Sequence, residues 1–121
     1  MVEADESAMT FEEIVELVRD RVADSINLRI PRLGGINAVL AAAKVCQAGD
    51  IKYRFGLCLL PSHFQAAALH VASLLPYLRV AHELAEHELF PHDPFGPLTI
   101  AGGTGAPPQE PGVGLVMQAG A

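Results

Sequence analysis

The sequence is poor in basic residues. Only 8 of its 121 residues are Lys or Arg, against 14 Asp or Glu, so the formal net charge is −6 at pH 7. A chain without a basic surface lacks the electrostatic basis for binding nucleic acid or an anionic membrane, and we expect neither as a partner. Hydrophobic residues make up 50% of the chain and charged residues only 18%, so we expect part of its apolar surface to be covered by another structure.

Cysteine is scarce, and long apolar runs are missing. Cys46 and Cys58 fall in a predicted helix and a predicted strand, which is typical of buried free thiols in a reducing compartment. A disulfide between them stays possible, although no feature supports it. The segment MVEADESAMT is acidic where a secretory signal would be basic and apolar, and no stretch approaches a membrane span. A cytoplasmic location is therefore expected.

Three helices are predicted before residue 77. Thr10 and Glu13 form a capping box at the start of the first helix, over residues 11–22. Its apolar residues share one stripe: Phe11, Ile14, Val15, Val18 and Val22. The second helix is predicted in GGINAVLAAAKVCQAG and ends at Gly49, and the third in HFQAAALHVASLL and ends at Pro76.

A strand is predicted after each of these helices. In chain order the segments are DSINLRI, IKYRFGLCLL and YLRVAHEL. The segment IKYRFGLCLL is apolar enough to be covered on both faces. Strands that alternate with helices predict parallel βαβ units. From Phe90 the chain becomes rich in proline and glycine, but GPLTI and GVGLVM could form strands, so we predict an ordered, extended tail with two short strands.

The order of several segments resembles a known family. Read in turn, ADES, INLRIPRLGGI, SHFQAAALH, LPYLRVAHE and PGVGL resemble the C-terminal part of the enolase superfamily, in the group of mandelate racemase and muconate lactonizing enzyme. The resemblance implies an α/β fold, the C-terminal half of a TIM-like (β/α)8 barrel from the end of strand five to strand eight. The half-barrel would be residues 1–89, and residues 90–121 would be a tail that packs toward a capping domain.

The resemblance also implies a site at the C-terminal ends of the strands. In this superfamily a divalent metal, usually Mg²⁺, binds the substrate carboxylate while a base removes the neighbouring carbon-bound proton. Asp5 corresponds to the third metal carboxylate, and the other two belong on strands outside this chain. From the residues alone, Asp5 and Glu6 are more typical of a frayed acidic terminus, which is the alternative to a metal ligand.

By the same resemblance, His63 corresponds to an acid or base histidine at the end of strand seven. An imidazole titrates near neutrality, so it can accept and return a proton within one turnover. The alternative is a loop or helix-capping histidine without chemistry. Leu60 departs from the muconate branch, which has a glutamate near this point.

Arg29 is the main departure from the family pattern. It stands where the racemase branch has an aspartate and the muconate branch has a lysine base. Arginine keeps its proton, so it cannot be a base, but it can bind a carboxylate through a bidentate fork. The alternative is a structural salt bridge at the barrel rim. On strand eight, spacing from Pro76 places His82 or Glu83 at the position of a substrate-binding glutamate, and we favour Glu83.

Two classes of function follow. The first is part of a racemase, cycloisomerase or acid-sugar dehydratase that abstracts the proton α to a carboxylate with Mg²⁺ assistance. We expect Asp5, Arg29 and His63 to gather at one rim, and the isolated chain to be inactive because metal ligands and a strand-two base are missing from it. Its partner would be a complementary N-terminal half or a second copy. The second class is a non-catalytic half-barrel relic or interaction module.

Overall fold

The computed structural model describes residues 1–56, 59–75, 80–96 and 98–118. These residues form two compact units. The first comprises residues 1–56 and 80–82, and the second comprises residues 59–75 and the described residues from 83 to 118. The division at residue 89 and the contact of the tail with a capping domain stay predictions.

The first unit is built on a parallel three-stranded sheet. Its elements in chain order are β1 (Glu3–Ala4), α1 (Phe11–Asp20), β2 (Ser25–Leu28), α2 (Ile30–Leu33), α3 (Ile36–Ala48) and β3 (Lys52–Phe55). The strand order is β1-β2-β3, with Ala4 opposite Ile26 and Ile26 opposite Tyr53. The predicted parallel βαβ arrangement is therefore confirmed for this part of the chain.

Helix α1 begins at the predicted capping box. Thr10 Oγ1 accepts a hydrogen bond from the Glu13 N–H at 3.2 Å, and Glu13 Oε2 accepts one from the Thr10 N–H at 2.9 Å. These bonds satisfy N–H groups that have no partner within the helix. Of the predicted apolar stripe, Ile14 is fully buried, but Phe11 and Val15 each remain 38% exposed. The stripe is thus only partly covered by this unit.

The two faces of the sheet differ in polarity, because successive side chains of a strand point to opposite faces. One face is apolar and buried, and it carries Ala4, Ile26, Leu28, Tyr53 and Phe55. Helix α3 packs over β2 and β3, and α1 packs beside α3. The other face is polar, and it carries Glu3, Ser25, Asn27 and Arg54.

β3, which lies in the predicted strand segment IKYRFGLCLL, is not buried on both faces as expected. In β3, Lys52 is exposed and Arg54 is half-buried, whereas Tyr53 and Phe55 are buried. That part of the prediction is wrong, since a strand with one polar face alternates in burial. Leu57 and Cys58 lie outside the described residues.

Cys46 is a buried free thiol in α3, as predicted. Burial raises its pKa to about 12, because the thiolate loses its hydration in an apolar environment. The corresponding prediction for Cys58 falls outside the described residues.

The second unit contains α4 (Ser62–Ser73), a 3₁₀ helix (Glu86–Leu89) and an antiparallel hairpin of β4 (Ile100–Ala101) and β5 (Thr104–Gly105). Gly102 and Gly103 connect the strands with φ of 58° and 74°, a conformation that glycine adopts without steric cost. The first observed tail strand overlaps the predicted segment GPLTI only at its last residue, Ile100. The second prediction is wrong, since residues 112–117 form no strand and Thr104–Gly105 pairs instead.

The predicted strand YLRVAHEL lies partly outside the described residues, at 77–79. Within residues 80–84 the backbone forms an isolated β-bridge at Glu83 and no extended strand.

The tail packs against other residues of its own unit. The Leu98 carbonyl lies 2.9 Å from Nε2 of the buried His87, and the Val113 carbonyl lies 3.4 Å from His70 Nε2. In the part of the chain that the structure describes, no helix has the length and apolarity needed to cross a membrane.

Candidate functional site

Asp5 and Arg29 form an ion pair at the ends of two neighbouring strands. Asp5 follows β1 and Arg29 follows β2, so both lie at the C-terminal edge of the parallel sheet. Arg29 Nη2 donates to Asp5 Oδ2 at 2.5 Å, and Asn27 Nδ2 donates to Asp5 Oδ1 at 3.2 Å. The Arg29 side chain is only 12% exposed and that of Asp5 is 29% exposed. The Asp5–Arg29 contact is a salt bridge, and the role of Arg29 stays a prediction.

Arg32 is a second cation beside Asp5, and the sequence reasoning missed it. It lies in the short helix α2, and its Nη1 is 3.8 Å from Asp5 Oδ1. Nη1 is buried and has no hydrogen-bond partner among the described residues. The available signal was its position, three residues after Arg29, because residues three apart on a helical turn lie on the same side.

A second cross-strand pair lies on the same polar face. Arg54 Nε donates to Glu3 Oε1 at 2.8 Å, and Ser25 Oγ donates to Glu3 Oε2 at 3.1 Å. Ser25 lies opposite both Glu3 and Lys52 in the register, so the Glu3–Arg54 bond passes over the middle strand. These contacts pair the charges of Glu3 and Arg54 within the sheet itself.

His63 lies in the first turn of α4. Its ring centroid is 4.3 Å from that of Phe64 and 4.0 Å from that of Phe95, and its Nδ1 is buried without a hydrogen-bond partner among the described residues. Burial lowers the pKa of His63, and the negative charge of Asp93 partly opposes that effect. The imidazole is therefore neutral at pH 7, the form that accepts a proton.

Asp93 is the other residue that the sequence reasoning missed. Its Oδ2 accepts a hydrogen bond from the Ser62 N–H at 2.7 Å, and its Oδ1 accepts one from the Phe95 N–H at 3.0 Å. Pro61, at the N-cap of α4, has no side-chain acceptor for that N–H. Asp93 thus caps the helix from a distant part of the chain, next to His63. No local sequence pattern marks such a contact.

His82 and Glu83 occupy different environments. The Phe55 N–H donates to His82 Nδ1 at 2.9 Å, and the two rings stack at 5.1 Å. Burial, and secondarily the charge of Arg54, lower the pKa of His82. Glu83 is exposed. Of the two residues that fit the strand-eight spacing, Glu83 is the one accessible to a ligand.

Comparison with known proteins identifies the family. Residues 1–121 match the family described as enolase C-terminal domain-like. The chain belongs to that family. It lies in the mandelate racemase and muconate lactonizing enzyme group, as predicted. Over 81 residues it is 38% identical to a chloromuconate cycloisomerase of Cupriavidus necator and to one of Delftia acidovorans. Each alignment covers 67% of this chain and 22% of the relative.

Solved structures of the superfamily agree. A muconate lactonizing enzyme from Pseudomonas putida matches with a TM-score of 0.90 at 29% identity, covering 95% of this chain and 32% of that one. The L-Ala-D/L-Glu epimerase from Bacillus subtilis matches with a TM-score of 0.85 at 26% identity, with the same coverage. The relatives are enzymes with TIM-barrel folds, and this chain spans about a fifth to a third of their length.

The superfamily's usual Mg²⁺ does not fit the donors present here. A divalent cation prefers several carboxylate or carbonyl oxygens around it. At Asp5, both carboxylate oxygens already accept hydrogen bonds, and two guanidinium groups lie within 4 Å. Within residues 1–56, 59–75, 80–96 and 98–118, no group of three His, Cys, Asp or Glu side chains could hold a metal.

The structure brings together two of the four residues that the sequence singled out. Asp5 and Arg29 are in direct contact within the first unit. His63 and Glu83 belong to the second unit. The expectation that Asp5, Arg29 and His63 meet at one rim stays a prediction, as do the individual roles assigned to the four residues.

Proposed function

We propose that this chain is the C-terminal part of an enolase-superfamily cycloisomerase, formed by barrel strands five to eight and the tail that follows them. The observation that carries the proposal is its 38% identity over 81 residues to chloromuconate cycloisomerases. Among racemase, cycloisomerase and dehydratase, the cycloisomerase is therefore favoured. The substrate class is a carboxylate of the muconate type, whose reaction makes or breaks a carbon–hydrogen bond α to the carboxylate.

His63 would be the acid or base. A histidine contributes most to proton transfer when it is neutral before the step and can return the proton afterwards. Burial holds the pKa of His63 below its usual value, which keeps the ring neutral at physiological pH. Asp93, whose charge opposes this shift, would support the protonated ring that forms during turnover.

Arg29 and Glu83 would bind the substrate rather than move its proton. A guanidinium is permanently charged and matches a carboxylate by two parallel hydrogen bonds. Glu83 is exposed and has the spacing expected for a substrate contact at the end of strand eight. Since the donors at Asp5 do not fit Mg²⁺, no step is assigned to a metal.

The partner would be a complementary N-terminal half. β1 has a single neighbouring strand, β2, among the described residues, and an unpaired strand edge favours addition of another strand. Phe11, Val15 and Val22 are also exposed on the same unit. The length of the relatives supports the same partner, since the chain covers only 32% of the muconate lactonizing enzyme.

Reconstitution tests the proposal. The chain is coexpressed with the N-terminal two-thirds of the Pseudomonas putida muconate lactonizing enzyme, and muconolactone formation from muconate is measured. We expect turnover in the complex and a loss of about 100-fold or more in His63→Gln, the size typical of a general acid or base. His92→Gln, on an exposed loop, is the matched control. A complex that retains its rate in His63→Gln would remove the assigned role.

The isolated chain should be inactive. We expect no exchange of the α-proton of muconolactone in D₂O, with or without Mg²⁺, because this chain does not supply the strand-two base. Appreciable exchange by the chain alone would contradict that expectation.

The second candidate is a non-catalytic relic or interaction module. The Asp5–Arg29 pair favours it. Asp5 binds Arg29 where the family has a metal ion, and Arg29 binds Asp5 where the family has a reacting group. Under this alternative, a stable complex forms with the N-terminal part but shows no turnover in the unmodified sequence.

A further inference from the structure

Two guanidinium groups converge on one carboxylate at the C-terminal edge of the sheet. Arg29 Nη2 is 2.5 Å from Asp5 Oδ2, and Arg32 Nη1 is 3.8 Å from Asp5 Oδ1. The other carboxylate near Arg32 is Glu6, which is 4.0 Å from Nη2 and 79% exposed, so solvent screens it strongly. The immediate surroundings of Asp5 are therefore cationic, which opposes the binding of a metal ion and favours the binding of an anion.

Arg32 has a hydrogen-bonding group that the fold leaves unused. Its Nη1 is buried and has no hydrogen-bond partner among the described residues, because 3.8 Å to Asp5 Oδ1 is too long for a hydrogen bond. A guanidinium group has hydrogen-bond donors only, so the missing partner of Nη1 must be a hydrogen-bond acceptor. The side chain as a whole is still 21% exposed, so a small ligand can reach Arg32, and Nη1, which is on its buried side, must turn toward that ligand to donate.

We propose that Arg29 and Arg32 form a binding site for a carboxylate that needs no divalent metal, with Asp5 as the residue that orients them. The guanidinium groups supply the positive charge that a metal ion supplies elsewhere in the superfamily. The inference rests on the proposed function, because it says which residues of this chain bind the carboxylate of the proposed substrate. It differs from the family pattern because the cation is part of the polypeptide.

The chemistry favours a carboxylate over a phosphate. The planar fork of a guanidinium matches the two oxygens of a carboxylate in one plane. Asp5 already neutralises one of the two cations, so the remaining positive charge matches a monoanionic group. A phosphate, which carries more than one negative charge at pH 7, would leave an excess of negative charge in this half-buried place.

Ligand binding to the 121-residue chain is the test. The chain is labelled with ¹⁵N, EDTA is present, and benzoate is added at constant ionic strength while the side-chain Nε–Hε signals of the arginines are recorded. We expect saturable shifts of the Arg29 and Arg32 signals. The affinity should fall at least tenfold in Arg32→Gln and should change less than twofold when 5 mM Mg²⁺ replaces EDTA. Arg19→Gln removes the same charge from an exposed position and should leave the affinity unchanged.

Three results would overturn the inference. The first is the absence of saturable shifts in a chain whose spectrum shows that it is folded. The second is benzoate binding that requires Mg²⁺ and is lost in Asp5→Asn, which would make Asp5 a metal ligand. The third is inorganic phosphate binding more tightly than benzoate. Arg32→Lys keeps the charge but not the geometry of the guanidinium. It should recover less than half of the binding free energy that Arg32→Gln loses, since an ammonium lacks the planar fork.

The outcome is distinguishable from that of the proposed function. Metal-free benzoate binding in this chain together with an inactive reconstituted complex would uphold the site and reject the cycloisomerase. Turnover of the reconstituted complex together with Mg²⁺-dependent binding would uphold the cycloisomerase and reject the site.

Discussion

The Phe55 N–H donates a hydrogen bond to His82 Nδ1 at 2.9 Å, and the two rings stack with their centroids 5.1 Å apart. This contact joins the last residue of β3 to a segment 27 positions further along the chain. The hydrogen bond requires an unprotonated Nδ1, because a protonated ring nitrogen is a donor and cannot accept. The contact therefore makes the stability of the first unit sensitive to pH.

We predict that the free energy of unfolding falls as the pH is lowered from 8 to 5. Burial, and then Arg54, lower the pKa of His82 in the folded state, so the unfolded chain takes up the proton first. The stabilisation is fully present above about pH 6.5, the usual histidine value, and is lost as the pH falls through the folded-state pKa. Urea unfolding at several pH values measures it. His82→Asn keeps an acceptor and should weaken the dependence, leaving the part due to the lowered pKa of His63, whereas His92→Asn should leave the dependence unchanged.

Asp93 should control the titration of His63. Its negative charge raises the pKa of His63 against the larger effect of burial. We therefore predict that Asp93→Asn lowers the His63 pKa further, as followed by the chemical shifts of the ring protons. Glu88→Gln, which removes one charge from an exposed residue of the same unit, should leave that titration unchanged.

A second variant separates the charge of Asp93 from its capping role. Asn can still accept the hydrogen bond from Ser62, but Asp93→Ala cannot, so it should also lower the free energy of unfolding by about 1 kcal/mol. Equal stability of the Ala and Asn variants would show that the cap contributes nothing.

Gly56 should be intolerant of a side chain. A Cβ at this position would lie 2.7 Å from both Nδ2 and Oδ1 of the buried Asn27, too close for any real contact. Gly56→Ala should therefore lower the free energy of unfolding by about 1–3 kcal/mol, the usual cost of overpacking. Asn27→Ala removes the obstructing atoms, so the double variant should lose less than the sum of the single variants. Additive losses would mean that the clash is relieved in another way.

Cys46 should be unreactive in the native protein. Burial raises the pKa of its thiol to about 12, and reaction requires the thiolate. In a Cys58→Ser background, we predict that a thiol reagent modifies the chain only through its unfolded state. Adding urea should raise the modification rate in proportion to the unfolded fraction. A rapid reaction in the absence of urea would show that the thiol is accessible.

Local patterns predicted the features that neighbouring residues determine. The Thr10–Glu13 capping box lies within one helical turn, and the structure contains both of its hydrogen bonds. The alternation of helices and strands predicted the parallel sheet, because short connections restrict the topology. The two glycines at 102 and 103 were also a usable signal for a hairpin, since a two-residue turn of this type needs positive φ at both positions.

Distant contacts explain what the sequence did not show. In β3 the polar face is carried by only two residues, and Arg54 is half-buried because Glu3, 51 positions earlier, accepts its hydrogen bond. Asp93 reaches Ser62 across 31 positions. The pairing of Asp5 with Arg29 depends on the adjacency of β1 and β2, so it became visible only once the register was known.

The Glu3–Arg54 bond has a consequence for how the protein is made. A ribosome adds residues from the N-terminus, so Glu3 leaves the exit tunnel long before Arg54 is synthesised. Until then, its carboxylate has only Ser25 as a partner on the middle strand. Bringing together residues 51 positions apart costs loop-closure entropy. The charged face is consequently completed late, only after β3 has left the ribosome.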